Sequence, residues 1–127
     1  MSEGAGEPEI RVMLPRSPEA GAVARGLISR HFAPLLRGES LLHAKLVASE
    51  LVNNAYQHGR GQIRLEVRRR GDRLRIEVVD EGRDASVRIT ERPGLLGGRG
   101  LRLVDTLTLS WGVNRGTTHV WADLPLA

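Results

Sequence analysis

The sequence predicts an α+β domain: a two-layer α/β sandwich in which a mixed, mainly antiparallel sheet is covered on one face by helices. Three observations lead there. Residues 17–32 and 40–58 repeat apolar side chains at a spacing of three and four, as helices do. Residues 62–78 and 109–124 alternate apolar and polar side chains with period two, broken near the middle by Gly and Asp or Asn, as hairpins do. The alternation leaves one face of each strand polar, whereas a doubly wound sheet, buried on both faces, reads as uniformly apolar strands.

Taken in order, residues 1–8 (MSEGAGEP) are small, acidic and without apolar period, which predicts a disordered tail ahead of one domain at 9–127. Ile10, Val12 and Leu14 alternate with Glu9, Arg11 and Met13 and stop at Pro15, an edge-strand pattern. Ser17 is a suitable N-cap and Pro18 a suitable first helical residue for a helix running to about His31. In it, Leu27, Ile28 and Phe32 form an apolar stripe that covers the sheet or serves a homodimer or partner face. After Ala33-Pro34, residues 40–58 contain no Gly or Pro and end at Gly59, which predicts a long helix with a left-handed cap. Its last turns carry Glu50, Asn53, Asn54, Gln57 and His58. Adjacent asparagines compete with the backbone for hydrogen bonds, and that local conflict marks the segment as functional.

Ile63, Leu65 and Val67, then Leu74, Ile76 and Val78, form the apolar face of a hairpin turning at Gly71-Asp72. Its arginines read as a solvated face, with a phosphate-reading surface as the alternative. Residues 81–100 are rich in Gly and charge without period, and so long an irregular stretch in a small domain is usually functional. A short helix from Leu101, a strand through Leu109, Trp111 and Val113, a turn at Asn114-Arg115-Gly116 and a strand through Val120, Ala122 and Leu124 complete the chain. Trp111 and Trp121 lie in strands expected to face one another and read as core or cross-strand packing, with ligand stacking as the alternative.

Composition narrows the function. The chain has 127 residues, 40% hydrophobic, and no cysteine. Disulfides, thiolate metal sites and cysteine nucleophiles are thereby excluded, while a carboxylate/His metal site stays open. No apolar run approaches the roughly 20 residues that span a bilayer, and Met1–Pro8 has no basic leader segment, so a cytoplasmic location without membrane contact is expected. The isoelectric point near 10.9 rests on arginines that never titrate, and the net charge is only +4. Direct nucleic-acid binding through the arginine hairpin therefore ranks last among the functions considered, and one Phe and one Tyr leave little for base stacking.

Three constellations carry chemistry. Glu50, Asn54 and His58 follow one another at four-residue spacing, so each stands roughly 40° from the next on a helix. A carboxylate that accepts a proton and an amide oxygen that holds a hard cation or its water suit magnesium-dependent phosphoryl transfer; an exposed polar face is the plain alternative. In Val78-Val79-Asp80-Glu81-Gly82, Asp80 is placed to accept a hydrogen bond from a base amine, and Gly82 lets a ligand approach the backbone; an ordinary turn is the alternative. In Gly97-Gly98-Arg99-Gly100-Leu101, glycines run into a helix and expose N–H groups to an anion; a hinge is the alternative.

In order and spacing these three resemble the N, G1 and G2 boxes of the GHKL ATPase superfamily. The phrases ASELVNNAYQHG, VVDEG, GGRGLRLVDTL and WGVNRGTTHVWADL are similar to those of bacterial anti-sigma-factor serine/threonine protein kinases, over residues 10–125. The resemblance implies the Bergerat-type ATP-binding fold, with ATP and Mg²⁺ as cofactors. It implies Glu50 as catalytic base, Asn54 as the magnesium ligand, Asp80 as partner of the adenine amine and Gly82 beside the base. Gly98 and Gly100 would contact phosphates, with Arg99 and Leu101 in the same box and His58 closing the helical stripe. Thr117 or Thr118 would approach adenine through water, Thr118 being the preferred assignment. One departure is that Asp84 stands where the family often has a second glycine.

The function this implies is an ATP- and Mg²⁺-dependent serine/threonine kinase that phosphorylates an anti-sigma-factor antagonist and also binds a sigma factor. The alternative is a non-catalytic ATP-binding interaction module that regulates transcription or signalling.

Overall fold

The structure, a computed structural model, describes residues 8–36, 38–82, 98–114 and 119–126. Their elements run β1 (Ile10–Leu14), α1 (Ala20–Phe32), α2 (Glu39–His58), β2 (Ile63–Arg70), β3 (Arg73–Val79), α3 (Gly98–Leu107), β4 (Ser110–Val113) and β5 (Val120–Pro125). The strands form one sheet in the order β1-β2-β3-β5-β4. The α+β class and the helix-covered sheet agree with the sequence pattern, and β1 lies at an edge as its Pro15 stop requires. The expected mixed sheet differs in detail, because every pairing among the described residues is antiparallel. β5 stands between β3 and β4, which run the same way and so have no pairing with each other.

Helix α2 is the centre of the core. Ala44, Val47, Ala48, Leu51, Val52 and Ala55 recur at helical spacing and are all buried. They lie over the apolar face of the sheet, built from Ile63, Leu65 and Val67 of β2, Leu74, Ile76 and Val78 of β3, and Val120, Ala122 and Leu124 of β5. Register fixes this face: Val67 pairs with Ile76 and Ile76 with Ala122, and Leu65 with Val78 and Val78 with Val120, so these rows are apolar on the same side. Ile28 and Phe32 of α1, two of the three residues in its apolar stripe, are buried in the same core.

Local ends depart from expectation in instructive ways. Ser17 does not cap the regular helix: its Oγ accepts the Glu19 N–H at 3.3 Å and its carbonyl the Ala20 N–H at 3.1 Å, forming a turn that precedes α1. Trp111 and Trp121 project on opposite faces, because Trp111 pairs with Ala122 and Trp121 with Gly112. Trp111 donates its indole N–H to Asp105 of α3 at 2.9 Å, whereas Trp121 lies under the Arg75 guanidinium at 4.5 Å.

The polar face of the sheet is more ordered than a solvated surface. Glu66 and Asp123 are buried beneath arginines. Arg11, Arg64 and Arg68 surround Glu66, at 3.4, 2.9 and 2.9 Å, and Arg75 grips Asp123 with two hydrogen bonds of 2.7 and 2.8 Å. The bidentate fork suits guanidinium and carboxylate geometry and raises the Arg75 pKa further. Farther along, His119 Nε2 stands 3.4 Å from Glu77 Oε2. This contact with His119 holds the Glu77 carboxyl below its ordinary 4.5, against burial, with the charge of His119 adding to the effect.

Because the native Glu77 value lies below the unfolded one, its contribution to stability is complete above the ordinary 4.5 and is lost as pH falls through the lowered native value. Thermal melts between roughly pH 3 and 6 should show a steeper acid-side loss for wild type than for Glu77→Gln.

Candidate functional site

The site gathers where α2 ends over the C-terminal end of β3. Glu50 is half-buried, Asn54 buried at 5% exposure, and His58 exposed, so the polar stripe climbs from the core to the surface over two turns of α2. Asn54 is the informative member. Its amide stands one helical turn from the Glu50 carboxylate on the same side of α2. Asn53 is accounted for differently: its Oδ1 lies where a side chain on Gly21 would sit, 2.7 Å from that position, so it fills the close approach of α1 and α2. The two adjacent asparagines thus divide between packing and a polar site.

Asp80 follows β3 directly and is 8% exposed. Its Oδ1 accepts the Gly82 N–H at 2.6 Å, an Asx turn that fixes the carboxylate and brings the Gly82 backbone close to it. Its Oδ2 rests against Gly59, so closely that a Cβ at Gly59 would fall on the carboxylate. Here a sequence expectation is corrected: Gly59 closes α2 in an extended conformation, φ −94°, which any residue adopts. It is glycine for room beside Asp80, and a left-handed turn has no part in it.

Without that turn, the carbonyls at the end of α2 need donors from elsewhere. Arg16, in the β1–α1 connection, supplies them. Its Nη2 donates to the carbonyls of Tyr56, at 3.0 Å, and of Gly59, and its Nη1 donates to that of Gly61 at 3.2 Å. The guanidinium also lies over the Tyr56 ring, 5.9 Å from its centroid. Sequence reading missed Arg16; its separation of 40–45 residues from its partners left no local signal. Gly61, at φ +67°, packs equally closely on the Glu81 carboxylate, and the Glu81 N–H donates to the Arg60 carbonyl at 2.8 Å. Residues 59–61 are therefore contacted both by Arg16 and by Asp80-Glu81.

The glycine box lies on a neighbouring element. Helix α3, which packs on α2, begins at Gly98, so Gly98, Arg99, Gly100 and Leu101 form its first turn; the expected helix begins only at Leu101. The first N–H groups of a helix have no partner within it, so this turn presents donors together with the positive end of the helix dipole. Thr117, Thr118, Asp84 and the stretch 83–97 lie outside the described residues. Among the described residues no three His, Asp or Glu side chains come together to hold a metal. No helix among them is long and apolar enough to cross a membrane.

An antiparallel sheet under helices, with a polar stripe on the central helix, a buried aspartate at a strand end and a glycine-led helix, defines an ATPase domain of the histidine kinase type. The family model for the histidine kinase-like ATPase domain matches residues 14–123, and the chain belongs to that family. The histidine kinase domain of the blue-light activated histidine kinase EL346 from Erythrobacter litoralis is similar in structure, with TM-score 0.52 and 28% identity over 84% of this chain. The chain spans 60% of the length of that solved chain. No curated protein matches.

Two glycines offer a paired test of the close approach. Gly59→Ala should destabilise the domain by about 1–3 kcal/mol through the collision with Asp80. Gly26→Ala, in α1 with nothing within 4 Å of the new methyl, should stabilise it by roughly 0.5–1 kcal/mol. Urea denaturation of the two variants checks both signs.

Proposed function

We propose that the chain is an ATP- and Mg²⁺-dependent serine/threonine protein kinase that acts as an anti-sigma regulatory factor, phosphorylating an anti-sigma-factor antagonist and binding a sigma factor in the cytoplasm. The observation that carries the ATP-dependent part is the burial of two polar side chains at one end of the fold: Asn54, one helical turn from Glu50 on α2, and Asp80 at the end of β3. The Asp80 carboxylate, fixed by the Gly82 N–H and set against Gly59, adds a buried acceptor for a base amine. Similarity of the motif phrases to anti-sigma-factor kinases supports the finer assignment of acceptor and partners.

Bound MgATP supplies an electrophilic γ-phosphoryl group and neutralises the charge that develops on its transfer. The amide oxygen of Asn54 holds the magnesium ion or one of its waters, hard oxygen chemistry that an amide suits. Asp80 accepts a hydrogen bond from the adenine amine, and Gly82 lets the base approach the backbone. Gly98, Arg99 and Gly100 offer N–H groups of the first turn of α3 to the phosphates, with Leu101 completing that turn. Glu50 accepts the proton of the acceptor hydroxyl. His58 stands at the exposed end of the stripe, and Thr118 is assigned to a water-mediated contact with adenine.

A second reading, a non-catalytic ATP-binding interaction module, is favoured by Asp84, a like charge in the first glycine box where the family often has glycine. Glu50 decides between them. In calorimetric titrations, wild type should bind ATP more tightly with Mg²⁺ than without, and Asn54→Ala should lose that difference. Glu50→Gln should keep Mg²⁺-dependent ATP binding while phosphoryl transfer falls by about 10²–10⁴. Wild-type transfer no faster than that of Glu50→Gln favours the non-catalytic module.

A further inference from the structure

Building on the ATP reading above, we propose that Arg16 is a positioning residue for base specificity: by bridging the carbonyls at the end of α2 it holds Gly59 against Asp80, and so sets how sharply the site distinguishes adenine from a base without its amine. Arg16 belongs to the β1–α1 connection and to none of the three boxes. Its guanidinium reaches the carbonyls of Tyr56, Gly59 and Gly61 together and lies over the Tyr56 ring. A planar fork with five donors does this where an ammonium cannot, and a positive charge is favoured at a helix C-terminus.

The consequence for Asp80 follows from how its two oxygens are held. Oδ1 is fixed by the Gly82 N–H at 2.6 Å, and Oδ2 is bounded by the Gly59 backbone. The segment that forms this boundary is gripped by Arg16 at the carbonyls of Gly59 and Gly61, while the Arg60 carbonyl accepts the Glu81 N–H at 2.8 Å. Without Arg16 that grip is lost, and the 59–61 segment bounds Oδ2 less closely. An acceptor that turns no longer selects a donor at one fixed position. Discrimination of this kind depends on the cost of leaving a fixed, buried polar group unpaired, so freedom in the acceptor erases it. Arg16 is itself exposed, and its contribution to global stability is correspondingly small.

The test is calorimetric titration of the whole chain with ATP and with inosine triphosphate, both in Mg²⁺, on wild type, Arg16→Ala and Arg16→Lys. Wild type should prefer ATP. In Arg16→Ala the ATP-to-inosine-triphosphate affinity ratio should fall by about tenfold, with affinity for inosine triphosphate changed less than about twofold. Arg16→Lys, which keeps the charge but cannot span three carbonyls, should lie between, and added guanidinium ion at millimolar concentration should restore part of the ratio in Arg16→Ala only. Equal weakening of both nucleotides in Arg16→Ala, or an unchanged ratio in a variant whose circular dichroism matches wild type, overturns the proposal while leaving the ATP reading standing. A folded wild type that binds neither nucleotide overturns the ATP reading and the role of Arg16 with it.

Discussion

The arrangement of the site turns on the contact between the Asp80 carboxylate and the backbone of Gly59, where α2 and β3 come closer than any side chain would allow. One helix end and one strand end are thereby joined into a single surface, which carries Asn54 from one element and Asp80 from the other. Neither residue alone specifies a ligand. A carboxylate at the end of a strand is an ordinary turn, and an asparagine on a helix is an ordinary polar residue. Both are buried at neighbouring ends of α2 and β3, and the absence of a side chain at Gly59 is what lets Asp80 sit there.

The rest of the molecule supports that contact from a distance. The buried row from Ala44 to Ala55 sets the middle and later turns of α2 on the sheet, which holds its last turn near β3. Asn53 seated over Gly21 locks α1 to α2, and Arg16, at the start of the same connection, closes the carbonyls that Gly59 leaves open. On the far face, Glu66 and Asp123 tie the arginines of β1, β2 and β3 across the strands, which keeps β3 in register under α2. That face would repel itself if its acids did not lie beneath the guanidinium groups.

Much of this was legible in the sequence, for physical reasons that differ by element. The helices and hairpins follow from periods of 3.6 and 2, and α2 was readable to within a residue because nothing in 40–58 interrupts it. Glu50, Asn54, Asp80 and Gly82 were readable as candidates because local conflicts mark them: asparagines in a helix and a carboxylate after an apolar strand. The conformation of Gly59 was not, since a glycine after a helix has two uses, a left-handed turn and a close approach, and only the neighbour decides between them. Arg16 was hidden because its partners are backbone carbonyls far along the chain, which no side-chain pattern encodes. The opposite faces of Trp111 and Trp121 depend on a register of one residue, where alternation gives no warning.

The central claim is that the end of α2 and Asp80 form one nucleotide-reading unit, and ligand-induced thermal stabilisation of Asp80→Asn against wild type tests it most directly. The substitution keeps the size of the side chain and an oxygen for the Gly82 N–H, but sets an amide donor against the adenine amine. With MgATP at about 100 times the dissociation constant, linkage gives roughly 2.7 kcal/mol of added stability. Wild type should therefore melt several degrees higher with MgATP, while Asp80→Asn, as stable as wild type without ligand or nearly so, should barely shift. An equal shift in both proteins would contradict the account.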